Sequence, residues 1–273
     1  MFVYLSVLFQ IWDQNSDDIM LPGLQMIYYD LNVPQELAST AYLKRLEQLG
    51  WGAVAINYTF TGKAPKELCP YVKNPAVDLK QYTRLTFVLD DPQQNFVLGA
   101  SESIRSYDIL AVRPTTERTF QIACQSLEVD IISLDLSEKL PFNIKHGLVR
   151  EAVGRGIVFE ISYGASVSNT GSKRRAALSA VMHLVRVMGK AKGLIVSSGR
   201  VSGEGSLRAP HCARNWVEMV GVKPDSSLTL TVDNAIRIIR HAGDRKWSVG
   251  GSVFKINNDA RSDFHHDYMA LLK

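Results

Sequence analysis

Four carboxylates stand where a series of buried strands would bring them together. Asp30, Asp90, Asp135 and Glu160 each lie near the end of a short apolar run. Carboxylate oxygens gathered at one end of a sheet are ligands that Mg²⁺ prefers, and a bound metal can activate water for hydrolysis. One hypothesis is therefore a metal-dependent phosphoesterase with these four side chains on a shared rim.

The histidines argue against this hypothesis. Hydrolytic barrels that use zinc or manganese commonly take imidazole ligands from strand ends. None of the six histidines ends a predicted strand, and the sequence contains no HxH, HExxH or Gly-x-Ser-x-Gly motif. We therefore expect no metal, no cofactor and no catalytic residue on this chain itself.

Basic residues offer a second chemistry, which is contact with a polyanion. Positions 171–246 hold 14 Lys and Arg against 5 Asp and Glu, a local net charge of +9 in a chain of +4. Such local charge favours phosphate neutralisation, although solvated helix faces would also account for it. The candidate RNA-binding residues are Lys173, Arg174, Arg175, Arg113, Arg200, Arg208, Arg245 and Lys246.

The position of each candidate indicates what it could bind. Lys173–Arg175 open a predicted helix, where the helix dipole disfavours cations, so an external anion would explain them. Arg113 follows a buried strand, and its planar fork suits a phosphate or a partner carboxylate. An internal salt bridge to Glu117 or Asp135 would serve Arg113 equally well.

The remaining basic candidates lie near loops and a helix end. Arg200 lies at the start of the glycine-rich stretch 199–205 and Arg208 shortly after its end, and the flexibility of this loop suits docking to RNA. Arg245 and Lys246 follow the last predicted helix, Asp233–His241, where RNA, solvent or protein contact all fit.

The polar residues at the strand ends also have structural interpretations. Asn32 could hydrogen-bond the backbone of the turn before Pro34, and Asp30 could pair with an arginine on the rim. Glu160 points to the same rim by alternation along its strand, and a buried ion pair is its expected state.

Seven apolar runs rich in β-branched residues are spaced like βα units. The runs are continuous rather than alternating, which is typical of parallel strands covered on both faces. A closed barrel and an open doubly wound sheet both fit, although no GxGxxG follows the first run. The predicted strands are Ile27–Val33, Ala53–Tyr58, Leu85–Leu89, Ile109–Val112, Ile131–Leu136, Ile157–Ile161 and Leu194–Ser197.

Composition sets the limits of the domain. The chain has 273 residues, 46% hydrophobic and 21% charged, which is ordinary for a globular protein. Its apolar runs fall short of the ~20 residues that a membrane helix needs. We expect an appendage over 1–25, an α/β barrel domain over 26–246, and a polar, partly disordered tail over 247–273.

Short sequence blocks occur in a fixed order between the predicted helices. They are Tyr29–Pro34, Leu110–Glu117, Asp130–Leu136, Leu140–Phe142, Phe159–Tyr163, Lys173–Arg175, Ile195–Gly199, Leu207–Pro210 and His241–Lys246. Together these blocks resemble the thirty-kilodalton (p30-type) protein subunit family of ribonuclease P and RNase MRP. The resemblance covers residues 26–246 and leaves out both termini.

The resemblance implies a TIM-like (β/α) barrel similar to the polymerase-and-histidinol-phosphatase barrel. Barrels of that family carry an HxH metal pair at the end of the first strand. The matching place here reads Asp30-Leu31-Asn32. Aspartate and asparagine replace imidazole poorly on a borderline-soft metal, so the resemblance agrees with the argument from the histidines.

The resemblance also implies a role inside a ribonucleoprotein. The chain would be a non-catalytic subunit that supports RNA-catalysed removal of the 5′ leader of precursor tRNA and the processing of rRNA precursors. Its expected partners are the catalytic RNA, a small α/β RNP protein subunit, other particle subunits and, through the complex, precursor tRNA. Mg²⁺ would serve the RNA, and the expected location is the nucleus, concentrated in the nucleolus. A scaffold that contacts only acidic proteins is a further alternative.

Overall fold

The computed structural model describes residues 26–62, 71–92, 102–137, 140–189, 192–249, 253–254 and 262–271. The strands are β1 Tyr29–Pro34, β2 Ala53–Thr61, β3 Lys80–Leu89, β4 Ile109–Pro114, β5 Ile131–Ser133, β6 Val158–Ser162, β7 Leu194–Ser197, β8 Ser248–Val249 and β9 Val253–Phe254. The α-helices are α1 Thr40–Gln48, α2 Glu102–Arg105, α3 Glu117–Gln125, α4 His146–Gly154, α5 Gly164–Ser168, α6 Gly171–Met188, α7 Pro210–Met219, α8 Pro224–Ser227, α9 Asp233–Trp247 and α10 Asp263–Leu271. Short 3₁₀ turns cover Gln35–Leu37, Glu204–Ser206 and Leu228–Leu230.

The first seven strands form one parallel sheet in chain order, from β1 to β7. All seven predicted strands are confirmed, and the barrel is the correct choice between the two architectures. β3 begins at Lys80 rather than Leu85; its first five residues, Lys-Gln-Tyr-Thr-Arg, are mostly polar and so form no apolar run that the sequence pattern could reveal. β5 is shorter than predicted and ends at Ser133.

The barrel closes at a seam between β1 and β7, which lie side by side. Individual hydrogen bonds tie this seam together. Directly after β7, the Ser198 N–H donates to Asp30 Oδ1 at 3.1 Å, and the Ser198 hydroxyl donates to the carbonyl oxygen of Asn32 at 3.3 Å. A buried carboxylate, that of Asp30, therefore stabilises this seam near the carboxyl end of β7.

Helices α9 and α10 close the amino end of the barrel. Inward-facing apolar residues of the strands pack there against Ile238 and Trp247 of α9 and against Phe264 and Tyr268 of α10. The expectation of a polar tail is wrong for Asp263–Leu271, because Phe264 and Tyr268 lie one helical turn apart and are both buried. Residues 1–25 lie outside the described residues.

The long helix α6 matters most for the site. It runs from Gly171, with Thr170 as its N-cap, to Met188. Gly189 ends it, with φ at 66°, a left-handed conformation that favours glycine. Among the described helices, none is long and apolar enough to cross a bilayer.

Candidate nucleic-acid interface at the carboxyl end of the barrel

A buried ion pair occupies the interior at the carboxyl end of the strands. The Arg84 side chain lies on the side of β3 that faces the barrel interior, and the Glu160 side chain lies on the corresponding side of β6. Arg84 Nη1 lies 2.6 Å from Glu160 Oε1 and Nη2 lies 2.8 Å from Oε2, so the pair is bidentate. Both side chains are essentially inaccessible, at 0% and 1% exposure. This is the buried ion pair expected for Glu160.

Polar side chains extend the ion pair into a closed ring of hydrogen bonds. Asn32 Nδ2 donates to Glu160 Oε2 at 3.0 Å, and Asn57 Nδ2 donates to Asn32 Oδ1 at 2.8 Å. Thr86 Oγ1 donates to Asn57 Oδ1 at 2.7 Å and accepts from Arg84 Nε at 3.2 Å. The expected bond from Asn32 to the turn backbone is wrong, since an irregularity in β1 turns this side chain into the barrel.

The two buried acids respond differently to burial. Burial alone would raise the pKa of the Glu160 carboxyl, but the Arg84 guanidinium outweighs it and the pKa is lowered. Burial raises the pKa of the Asp30 carboxyl, and the backbone N–H groups of Ser198 and Asn32 offset this only in part. The expected pairing of Asp30 with a rim arginine is therefore wrong; its partners are backbone amides.

These residues do not fit a metal centre. Asp30 and Glu160 are buried with their oxygens already bonded, whereas Asp90 and Asp135 are exposed. Within the described ranges, no group of three or more His, Cys, Asp or Glu residues could hold a metal ion. The four carboxylates do not share a rim, so nothing supports the phosphoesterase hypothesis.

An open cleft of about 520 Å³ lies above the ring. Arg113 lines it, on the inward side of β4 that Ile109 and Ala111 occupy further down. Its Nε is buried without a hydrogen-bond partner. The predicted internal salt bridge is not formed, because Glu117 pairs with Lys145 and Asp135 accepts from Ser137.

The basic triplet Lys173–Arg175 lies beside this cleft. All three side chains are exposed in the first turn of α6, and the described residues give them no ion pair. Ser168 and Asn169, directly before that helix, line the cleft. The Thr170 side chain does not cap the helix, so its first N–H groups stay open.

Arg200 and Arg208 have local partners in the loop after β7. Arg200 lines the cleft and pairs with Glu36 at 3.3 Å, with both side chains largely exposed. Arg208 turns back and donates to the carbonyl oxygens of Gly205 and Leu207.

Arg245 and Lys246 lie at the opposite end of the barrel. Arg245 Nη2 is 2.9 Å from the buried Asp130, which also contacts His241 Nδ1 at 2.8 Å. Lys246 pairs with Asp108 at 2.9 Å. Burial would raise the pKa of Asp130, but Arg245 and His241 lower it overall. These internal pairs account for both basic residues without an RNA ligand.

The fold and the site define a TIM-like barrel protein with an ion-paired interior and a basic rim at its carboxyl end. Residues 27–247 match the family model described as RNase P subunit p30. The chain therefore belongs to the RNase P subunit p30 family, which confirms the resemblance drawn from its sequence blocks.

Curated relatives agree with this assignment. The chain is 37% identical to the probable ribonuclease P protein subunit 3 of Schizosaccharomyces pombe over 83% of this chain and 95% of that protein. It is 31% identical to ribonuclease P protein subunit p30 of Mus musculus, over 81% of this chain and 85% of the relative. It is 28% identical to a ribonuclease P/MRP protein subunit of Saccharomyces cerevisiae, over 68% of this chain and 66% of that protein.

A solved structure shares the fold. A chain of archaeal ribonuclease P, determined by cryo-electron microscopy with mature tRNA, superposes with a TM-score of 0.64 at 15% identity. The match covers 84% of this chain and 96% of that one. This likeness confirms the barrel architecture.

Proposed function

We propose that this chain is a non-catalytic protein subunit of ribonuclease P and RNase MRP that holds phosphates of the RNA at the carboxyl end of its barrel. Membership of the p30 family and the subunit names of its relatives support the assignment. In this role the RNA, with its Mg²⁺, carries out hydrolysis of the 5′ leader of precursor tRNA and cleavage of rRNA precursors.

The exposed triplet Lys173–Arg175 is the main structural support for the proposed RNA contact. Three adjacent cations at a helix start oppose the helix dipole, at a cost of about 0.3–1 kcal/mol each. No carboxylate among the described residues offsets this cost. A phosphate would satisfy both the side chains and the open N–H groups of α6. The triplet is thus suited to an external anion.

The proposal extends to the partners and the compartment. The partners are the catalytic RNA, a small α/β RNP subunit, the other particle proteins and, through the complex, precursor tRNA. The relatives from two yeasts and a mouse belong to a eukaryotic enzyme, which supports a nuclear, and within it nucleolar, location.

Exchange of the triplet for glutamine tests the RNA contact. Each lost phosphate contact should lower the slope of log affinity against log salt by about 0.7–0.9, and the triple variant should lose affinity most at low salt. The matched control exchanges three exposed arginines elsewhere, Arg150, Arg186 and Arg237, and should change the slope less. Equal slopes for the triplet variant and the wild type would remove the triplet from the RNA surface.

A further inference from the structure

The cleft above the buried ring contains a cation with no counter-ion. Arg113 is half-buried, and the described residues offer it neither a hydrogen bond nor an ion pair. A guanidinium carries five N–H donors in a planar fork. Leaving a buried donor unsatisfied is costly, so an acceptor supplied from outside would stabilise this side chain.

The acids around the cleft are already engaged. Glu160 is held bidentately by Arg84, and Glu36 pairs with Arg200. Asp135 Oδ1 accepts from both the backbone N–H and the hydroxyl of Ser137. None of the acids that line the cleft therefore forms an ion pair with Arg113 among the described residues.

We propose that this cleft takes a single phosphate group of RNA and that Arg113 is the side chain that binds it. This inference rests on the proposed function and adds a site to it. The triplet Lys173–Arg175 adjoins the cleft through Asn169, so an RNA strand that contacts the triplet passes the cleft mouth.

The lining favours a phosphate over a stacked base. Six serine and threonine hydroxyls line the cleft with Arg113, and none of its described lining residues is aromatic. Hydroxyl donors and an arginine fork match phosphate oxygens, whereas single-strand base binding relies on aromatic platforms. The hydroxyl-bearing lining residues are Thr59, Ser133, Ser137, Ser162, Ser168 and Ser202.

Two small probes on the full-length chain test the site. UpU carries one backbone phosphodiester and 5′-UMP carries one terminal phosphate, and NMR titration measures the affinity of each. Loss of a charge-assisted bidentate contact in Arg113→Gln should weaken the bound probe about 10- to 100-fold. The control Arg186→Gln, at the far end of α6, should bind both probes like the wild type.

A second variant, expected to increase the affinity for the probe, shows whether a loss of binding in Arg113→Gln is caused by misfolding. Asp135→Asn removes a negative charge from the cleft lining while keeping an oxygen acceptor for Ser137. It should tighten the bound probe a few-fold, by removing like-charge repulsion. Preferential binding of UpU would identify a backbone phosphate, and preferential binding of 5′-UMP a terminal one.

The same titrations can refute the phosphate site. Failure of both probes to bind, or unchanged affinity in a folded Arg113→Gln variant, would refute a phosphate site in the cleft. If Arg113→Gln does not fold, unchanged affinity in Asp135→Asn alone refutes it. The triplet variant separates the two proposals, because a reduced salt slope there with no Arg113 effect would overturn only the cleft site.

Discussion

A Glu160→Gln substitution should destabilise the barrel strongly, because it leaves the Arg84 guanidinium buried without its counter-ion. The pair forms two charge-assisted bonds, of 2.6 and 2.8 Å, between side chains that water does not reach. Breaking such a pair from one side costs about 3–5 kcal/mol. Since a whole domain is stable by only about 5–15 kcal/mol, this single change should remove a large share of the stability.

Urea unfolding followed by tryptophan fluorescence measures the effect, and a double-mutant cycle isolates the pair. Arg84→Met and Glu160→Leu should each cost several kcal/mol, whereas the double variant Arg84→Met/Glu160→Leu should cost less than these two single changes added together. The control Glu117→Gln breaks an exposed pair with Lys145 and should cost under about 1 kcal/mol. A cost below about 0.5 kcal/mol for Glu160→Gln, or strict additivity, would refute the ring as a stabilising core.

Three further outcomes follow from the same structure. The folded pKa values of Glu160 and Asp130 are lowered, so both carboxylates stabilise the fold fully above the ordinary carboxyl pKa range, and this stabilisation is lost as the pH falls through the folded pKa values. The free energy of unfolding of Glu160→Gln should therefore fall less steeply at acidic pH than that of the wild type, and an unchanged acid dependence would contradict this. Asp30, whose pKa burial raises, should tolerate Asp30→Asn at a smaller cost than Glu160→Gln in the same urea assay, and an equal cost would show that its charge is needed. Phe264→Ala should cost about 3–5 kcal/mol in thermal or urea unfolding, because its ring is fully buried at the amino end; a cost near zero would mean that α10 does not close the barrel.

Much of the framework can be read from the sequence because hydrophobic patterning fixes it locally. The continuous apolar runs locate all seven barrel strands, and alternation along β6 correctly turns Glu160 inward. Arg84 could not be identified from the sequence pattern, since it lies in the mostly polar first half of β3 and its partner is 76 positions away. A charged residue on the same side of its strand as Tyr82 was the available signal.

The site depends more on tertiary contacts than the framework does. Nothing local distinguishes Arg245, which is neutralised by Asp130 across the amino end, from Arg113, which has no partner in the described structure. The spacing of His241 and Arg245, one helical turn apart, indicates a shared partner but not which one. Charge density alone therefore does not distinguish cations that are paired within the fold from cations that have no partner there.

The most direct test of the central claim is recovery of the chain from cell extract through an affinity tag, with sequencing of the bound RNA. The eluate is then assayed for removal of the 5′ leader from precursor tRNA, with and without nuclease pretreatment. The ribonucleoprotein assignment predicts a single structured RNA, or the two RNAs of the related particles, and cleavage that nuclease abolishes. Recovery of no RNA, together with partner proteins that stay bound after nuclease, would contradict it and favour a protein-only scaffold.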